Sequence, residues 1–232
     1  MESSYRQLLK TGELKEKSGK ARERLSCCYL CAHACRVNRL QGAKGICQVD
    51  ESAQISGYGP HFGEESVLVG RGGSGTIFFT GCNLRCVFCQ NWEISHLRKG
   101  DQISVEELAA IMLELEAGGC HNINLVTPTP YLPQILAALE IAARQGLNLP
   151  VVYNCGGYES PTALELLDGV VDIYMPDLKF GDDRQAFALT GAKNYFSAAK
   201  AAITEMHRQV GDLRLDTDGI AYRGLIVRHL VL

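Results

Sequence analysis

The pattern of hydrophobic and polar positions changes at about residue 70. Beyond it, short apolar runs predict strands at residues 76–80, 123–127, 151–154, 171–176 and 225–232. Amphipathic segments between them predict helices over residues 104–117, 131–145, 160–169, 184–189 and 195–210. Ser104 with Glu107 forms a capping box, and Ser160 before Pro161 is typical of a helix start. Residues 216–219 predict a turn between two short strands outside this repeat.

Alternating strands and helices of this kind predict an α/β fold with parallel strands and right-handed crossovers, as in a βα barrel or an open sheet. Cofactors in such folds bind at the carboxyl ends of the strands. Residues 1–70 differ, because they hold a short charged helical lead, a cysteine cluster and little sign of repeated strands. We therefore expect an N-terminal extension at 1–70 and a βα core at 71–232, joined by a flexible hinge in the glycine-rich run 70–75.

Composition narrows the class of protein. A chain of 232 residues, 46% hydrophobic and 21% charged, is typical of a globular protein. A net charge of −3 argues against a groove that follows nucleic-acid phosphates. Neither an apolar run of membrane-helix length nor an apolar signal core is present in the sequence, so we expect no membrane association and a cytoplasmic location. In a reducing compartment the ten cysteines indicate metal ligands or reactive thiols rather than disulfides.

Three cysteines follow the first predicted strand at the spacing C-x3-C-x2-C, namely Cys82, Cys86 and Cys89. A cubane iron–sulfur cluster is normally held by four thiolates, so three close thiolates would leave its fourth iron open. An open coordination position marks a reactive metal, as it does in catalytic zinc sites. The alternatives are a partial zinc site or buried core thiols, although zinc usually takes paired C-x2-C knuckles. The spacing and the position after a strand favour an iron–sulfur centre.

This cysteine run, with Phe88 before its last cysteine, resembles the radical SAM superfamily. Segments 121–129, 152–154, 171–177 and 223–229 narrow the resemblance to the group labelled pyruvate formate-lyase activating enzyme-like, from about residue 26 onward. The resemblance implies a partial (β/α) barrel with about five visible βα strands. It also implies a [4Fe–4S] cluster and an oxidoreductase that cleaves S-adenosylmethionine to a 5′-deoxyadenosyl radical. The implied partners are a glycyl-radical protein, such as pyruvate formate-lyase, and an electron donor such as flavodoxin or ferredoxin.

The same resemblance implies roles for polar residues at the strand ends. Asp177 and Lys179 match an Asp-x-Lys pattern that binds the amino and carboxylate groups of the methionine moiety. Thr127 lies where the relatives have Gly-Gly-Glu, so a backbone carbonyl or a hydroxyl would have to replace that glutamate. Asn154 can reach the ribose or the methionine, and Arg228 matches a basic residue near the cofactor. The alternatives are a surface ion pair for Asp177 and Lys179 and a solvated or helix-paired Arg228.

A second cysteine set precedes the predicted barrel and consists of Cys28, Cys31, Cys35 and Cys47. Four thiolates that include a C-x2-C knuckle are sufficient for structural zinc or for an auxiliary iron–sulfur cluster. Relatives in the resembling group commonly carry similar cysteines here. We therefore expect a second metal in the N-terminal extension, with zinc and iron–sulfur both open.

The end of the sequence affects what we expect of the activity. Radical SAM cores usually have six βα units, whereas five strands are predicted here and the last runs to Leu232. An unpaired apolar edge strand is a feature that folded proteins avoid, which indicates a truncated product or a fragment. Three functions stay open: activation of a glycyl-radical partner, radical chemistry on another peptide or small molecule, and a non-catalytic metal-binding remnant.

Overall fold

The computed structural model describes residues 2–229 and forms one mixed sheet from them. Its strands are β1 Ala53–His61, β2 Ser74–Phe79, β3 Asp101–Ile103, β4 Ile123–Val126, β5 Val151–Cys155, β6 Ile173–Pro176, β7 Arg214–Leu215 and β8 Ala221–Leu225. Their order in the sheet is β3-β1-β2-β4-β5-β6-β8-β7. The five neighbours from β2 to β8 run parallel, while β1, β3 and β7 pair antiparallel. The predicted α/β class and partial (β/α) barrel, with a Cys-rich N-terminus, are confirmed.

Helices alternate with most of these strands, and two of the helices begin after the predicted capping residues Ser104 and Ser160. Their bounds are α1 Ser4–Thr11, α2 Glu13–Glu23, α3 Ser66–Val69, α4 Trp92–Ser95, α5 Val105–Ala117, α6 Leu132–Arg144, α7 Pro161–Leu167, α8 Asp183–Thr190 and α9 Tyr195–Val210. The capping box at Ser104 is formed with Glu107, and the Ser160 hydroxyl accepts the Ala163 N–H at 3.1 Å. None of the helices formed by residues 2–229 has both the length and the apolar character needed to cross a membrane.

Three strands differ from the prediction, and the short β3, Asp101–Ile103, is one of them. Strand β1 lies within the N-terminal extension, where few strands are expected, and pairs along β2. Its Gly57, Gly59 and Pro60 are residues of low strand propensity, which hides the strand from sequence reasoning. The final strand begins at Ala221 rather than 225, although parallel pairing continues to Arg228. The last three residues of the predicted strand lie outside the described part of the chain, and the division of the chain at residue 70 stays a prediction.

The glycine-rich run 70–75 is packed closely against the turn after α5. An added Cβ on Gly72 would stand 1.9 Å from the Gly119 carbonyl oxygen. The Gly72 N–H donates to His121 Nε2 at 3.0 Å, and the His121 N–H donates to the Gly73 carbonyl oxygen at 3.0 Å. Glycine is required here for backbone approach. The prediction of a flexible hinge is therefore wrong.

The two faces of the parallel sheet bury different residues. Ile77, Leu125 and Tyr153 lie on the face that packs with the helices in the main hydrophobic core. The alternating positions on the opposite face include the buried polar residues Asn124 and Asn154. The carboxyl ends of β5 and β6 therefore bring polar side chains to the inner face of the partial barrel, where the candidate site lies.

Candidate functional site

The cluster loop, residues 80–91, follows β2 directly and carries Cys82, Cys86 and Cys89. Backbone hydrogen bonds tie this loop to the end of α8, because the Arg85 and Val87 N–H groups donate to the Thr190 and Leu189 carbonyls, each at 3.0 Å. The Cys89 N–H donates to the Cys86 carbonyl oxygen at 3.2 Å. The three cysteines are thus held at the carboxyl end of β2, as the sequence predicts.

The three thiols form a soft donor set on one loop. Cys82 Sγ accepts the Leu84 N–H at 3.3 Å, and Cys89 Sγ lies 3.1 Å from Ser95 Oγ. Burial raises the pKa of Cys82 to about 12 and that of Cys86 to about 11, so metal binding there would displace protons. Backbone N–H donation to sulfur is among the features that tune iron–sulfur clusters. The donor set fits an iron–sulfur cluster with three protein ligands.

Asp177 lies at the centre of a charged network at the carboxyl ends of β5 and β6. Its Oδ2 lies 2.5 Å from Lys179 Nζ, and its Oδ1 accepts from Arg228 Nε at 2.9 Å. Arg228 also donates through Nη2 to Asn154 Oδ1 at 2.7 Å. These side chains are largely buried, with exposed fractions of 17% for Lys179 and 24% for Asp177. The alternative of a solvated surface pair for Asp177 and Lys179 is therefore wrong.

Lys179 links this network electrostatically to the cluster loop. Burial lowers the pKa of its ammonium, but the charge and hydrogen bond of the Asp177 carboxylate raise it above its ordinary value, and Cys86 and Cys82 add to this when they are thiolates. Lys179 is therefore protonated at neutral pH and lies within electrostatic reach of two cluster-loop cysteines. A charged group of this kind beside a metal centre can pair with a ligand carboxylate.

Thr127 joins the site through its backbone. It has a φ of 61°, an uncommon conformation for a β-branched residue, and its N–H donates to the Asn154 carbonyl oxygen at 3.0 Å. Strained backbone of this kind clusters at functional sites. The structure thus brings Asn154, Asp177, Lys179 and Arg228 together by their side chains and holds Thr127 beside them by a main-chain bond.

Sequence reasoning missed two residues of this site. Glu64, from the segment after β1, has a carboxylate oxygen 3.8 Å from Arg228 Nη1 and is 8% exposed. Tyr195, at the start of α9, accepts the Lys179 N–H and lies beside the Asp177 carbonyl oxygen. No local motif marks either residue, because both meet the site only through tertiary packing.

The four N-terminal cysteines, Cys28, Cys31, Cys35 and Cys47, line one cavity of about 20 Å³. Burial raises the pKa of Cys31 well above its ordinary value and also raises that of Cys47. Among residues 2–229, and in both cysteine sets, no three Cys, His, Asp or Glu side chains have the geometry of one bound metal ion. The structure brings the predicted ligands together, and the metal they hold stays a prediction.

The N-terminal cysteine segment packs directly on the cluster loop. His33 Nε2 lies 2.8 Å from the carbonyl oxygen of Asn83, the residue after Cys82. Tyr158 lies beneath both, because its carbonyl oxygen accepts the Ala32 N–H and the Asn83 side-chain amide, each at 3.2 Å. The two cysteine sets are therefore neighbours in the fold.

Comparisons with known proteins agree with this geometry. The model of the radical SAM superfamily matches residues 76–216, more than half of the chain. The uncharacterized protein MJ0674 of Methanocaldococcus jannaschii is 37% identical over 214 residues, which cover 88% of this chain and 56% of that protein. The chain thus spans little more than half the length of this relative. Members of the matching superfamily typically use a [4Fe–4S] cluster and S-adenosylmethionine. The chain belongs to the radical SAM superfamily.

Proposed function

We propose that this protein cleaves S-adenosylmethionine reductively, with Cys82, Cys86 and Cys89 as the ligands of a [4Fe–4S] cluster. One observation carries the proposal: Leu178, between the largely buried Asp177 and Lys179, packs in one hydrophobic cluster with the three cluster-loop cysteines. Three thiolates leave one iron open for the cofactor. When bound there, the cluster would supply the electron that splits the sulfonium into methionine and a 5′-deoxyadenosyl radical.

The charged network supplies complementary partners for the methionine end of the cofactor. The Lys179 ammonium can pair with the methionine carboxylate, and the Asp177 carboxylate can pair with the methionine ammonium. Without ligand these two residues satisfy each other at 2.5 Å, so cofactor binding exchanges one ion pair for two. This exchange keeps every buried charge paired, which avoids the cost of an isolated buried ion.

Arg228 and Asn154 orient the Asp177 carboxylate in this proposal. Arg228 Nε donates a hydrogen bond to Asp177 Oδ1, so Oδ2 is the carboxylate oxygen that faces Lys179. Glu64 lies 3.8 Å from the same guanidinium and balances its charge. The Thr127 carbonyl or hydroxyl remains the group we propose in place of the glutamate of related enzymes.

The substrate that gives up a hydrogen atom to the radical is proposed from the family resemblance and not from the geometry of the site. Within the superfamily, the cysteine run and the Asp177-Leu178-Lys179 pattern resemble glycyl-radical activating enzymes. We therefore propose a glycine of a partner such as pyruvate formate-lyase as the hydrogen donor, and a flavodoxin or ferredoxin as the source of electrons. Radical chemistry on another peptide or a small molecule is the runner-up.

Two readouts separate these possibilities. After anaerobic reconstitution and reduction, 5′-deoxyadenosine formation reports cofactor cleavage, and the electron paramagnetic resonance (EPR) spectrum of added pyruvate formate-lyase reports a glycyl radical. We expect both signals, and we expect neither when Cys82, Cys86 and Cys89 are all changed to alanine. Formation of 5′-deoxyadenosine without a protein radical would indicate that the enzyme acts on another substrate. Absence of both from a cluster-loaded wild-type chain would make it a non-catalytic remnant.

A further inference from the structure

The cavity between the N-terminal cysteines is built by strained backbone. Ala34 and Arg36, on either side of Cys35, have φ values of 44° and 55°, and Gln48, next to Cys47, has a φ of 59°. An added Cβ on Gly45 would stand 2.8 Å from Cys35 Sγ. Non-glycine residues in the left-handed region cost free energy and persist where the surrounding structure over-determines them. These loops therefore hold four thiols around one space at a conformational cost.

A buried cation lies beside this cavity. Arg39 is 1% exposed, and its Nε and Nη2 donate to the Asp50 carbonyl oxygen at 3.0 and 2.6 Å. Its Nη1 lies 4.0 Å from Cys28 Sγ. The Asp50 carboxylate pairs instead with Lys44 at 3.0 Å, and within the described residues no carboxylate oxygen lies within 4 Å of the Arg39 guanidinium. A buried guanidinium needs a counter-charge, and thiolates that bind a metal beside it, Cys28 among them, would supply one.

We propose that Cys28, Cys31, Cys35 and Cys47 hold a second iron–sulfur cluster, with Arg39 as its buried counter-charge. Four thiolates and one cluster form an anionic unit, which pairs with the guanidinium. Zinc bound by the same four thiolates is the competing outcome, and the metal content of the protein distinguishes the two.

The segment that would hold the second cluster packs against the cluster loop. His33, between Cys31 and Cys35, contacts the Asn83 carbonyl at 2.8 Å, and an added Cβ on Gly81 would stand 2.7 Å from the Cys47 carbonyl oxygen. The N-terminal segment therefore supports the cluster loop on two sides. This site does not depend on cleavage of S-adenosylmethionine and is testable separately from it.

Elemental analysis of the full chain after anaerobic reconstitution tests the proposal. We expect about eight irons per chain in the wild type and a twofold fall, to about four, when all four N-terminal cysteines are changed to serine. Cys27→Ser is the matched control, because Cys27 is exposed and does not line the cavity, and it should keep the full iron content. A wild-type chain with about four irons, with or without one zinc, would overturn the proposal.

Arg39 provides a second measurement that does not require removal of ligands. In Arg39→Met the second cluster loses its counter-charge, so its reduction potential should fall, whereas Arg39→Lys should keep most of the wild-type value. Equal potentials in wild type and both variants would overturn the role of Arg39. Formation of 5′-deoxyadenosine in the same samples reports the first cluster, so failure at one site is distinguishable from failure at the other.

Discussion

The hydroxyl of Tyr195 accepts the backbone N–H of Lys179 at 2.9 Å. The same oxygen lies 2.8 Å from the Asp177 carbonyl and 2.9 Å from the Gly156 carbonyl, and Tyr195 is fully buried. One side chain at the start of α9 therefore fixes the backbone of the Asp-x-Lys segment. The main chain that carries the Asp177–Lys179 ion pair is thereby fixed from the side of α9.

Removal of that hydroxyl should destabilise the fold locally. In Tyr195→Phe the Lys179 N–H loses its acceptor, and the Asp177 and Gly156 carbonyls lose the one hydroxyl proton that they share. Leaving buried polar groups unpaired costs about 1–3 kcal/mol. We expect a fall of that size in the free energy of unfolding, measured by urea denaturation. Tyr58→Phe is the control, since the Tyr58 side chain is exposed and bonds only the Glu114 carboxylate. Equal stability of both variants would show that Tyr195 does not hold the segment.

Lys179→Met should weaken cofactor binding and leave the cluster in place. A lost hydrogen bond to a charged group costs about 1.5–3 kcal/mol, which corresponds to a roughly ten- to hundredfold weaker affinity for S-adenosylmethionine. Arg228 still neutralises Asp177 in this variant, so the fold should persist. Calorimetry measures the affinity, and Lys200→Met, on an exposed position of α9, is the matched control. An unchanged affinity for S-adenosylmethionine in Lys179→Met would show that the Asp177–Lys179 ion pair takes no part in cofactor binding.

The pairing of Arg228 with Asp177 should appear as an energetic coupling. In a double-mutant cycle of Arg228→Met and Asp177→Asn, we expect an interaction energy of about 0.5–3 kcal/mol in the free energy of unfolding. A second cycle pairs Asp177→Asn with Arg214→Met, and Arg214 is exposed at the far edge of the sheet. That cycle should be additive. Additivity in both cycles would mean that the 2.9 Å contact contributes nothing measurable.

Gly72→Ala should destabilise the protein because its Cβ meets the Gly119 carbonyl oxygen at 1.9 Å. Relief of such a contact requires backbone shifts that cost about 1–3 kcal/mol. Gly19→Ala is the control, because Gly19 lies within α2 with no atom within 4 Å of an added Cβ. That change should stabilise by about 0.5–1 kcal/mol. Thermal unfolding of both variants checks the pair, and a neutral Gly72→Ala would restore the flexible-hinge interpretation.

Local patterns made part of this site predictable from the sequence. The spacing of the cluster cysteines and the strand-end position of Asp177 and Lys179 depend on a few consecutive residues. Strand β1 was not predictable, because its glycines and proline suppress the signal of a strand that tertiary pairing stabilises. Tyr195 and Glu64 were not predictable either, because each reaches the site only after distant segments have packed together.

The central claim is that Cys82, Cys86 and Cys89 hold a cluster with an open iron that binds S-adenosylmethionine. The EPR spectrum of the reduced, reconstituted protein, recorded with and without S-adenosylmethionine, tests this most directly. We predict that the cofactor changes the signal of one cluster in the wild type and that this signal is missing when the three cysteines are alanine. A cofactor-sensitive signal that survives in the triple variant, or a wild-type spectrum that the cofactor leaves unchanged, would contradict the claim.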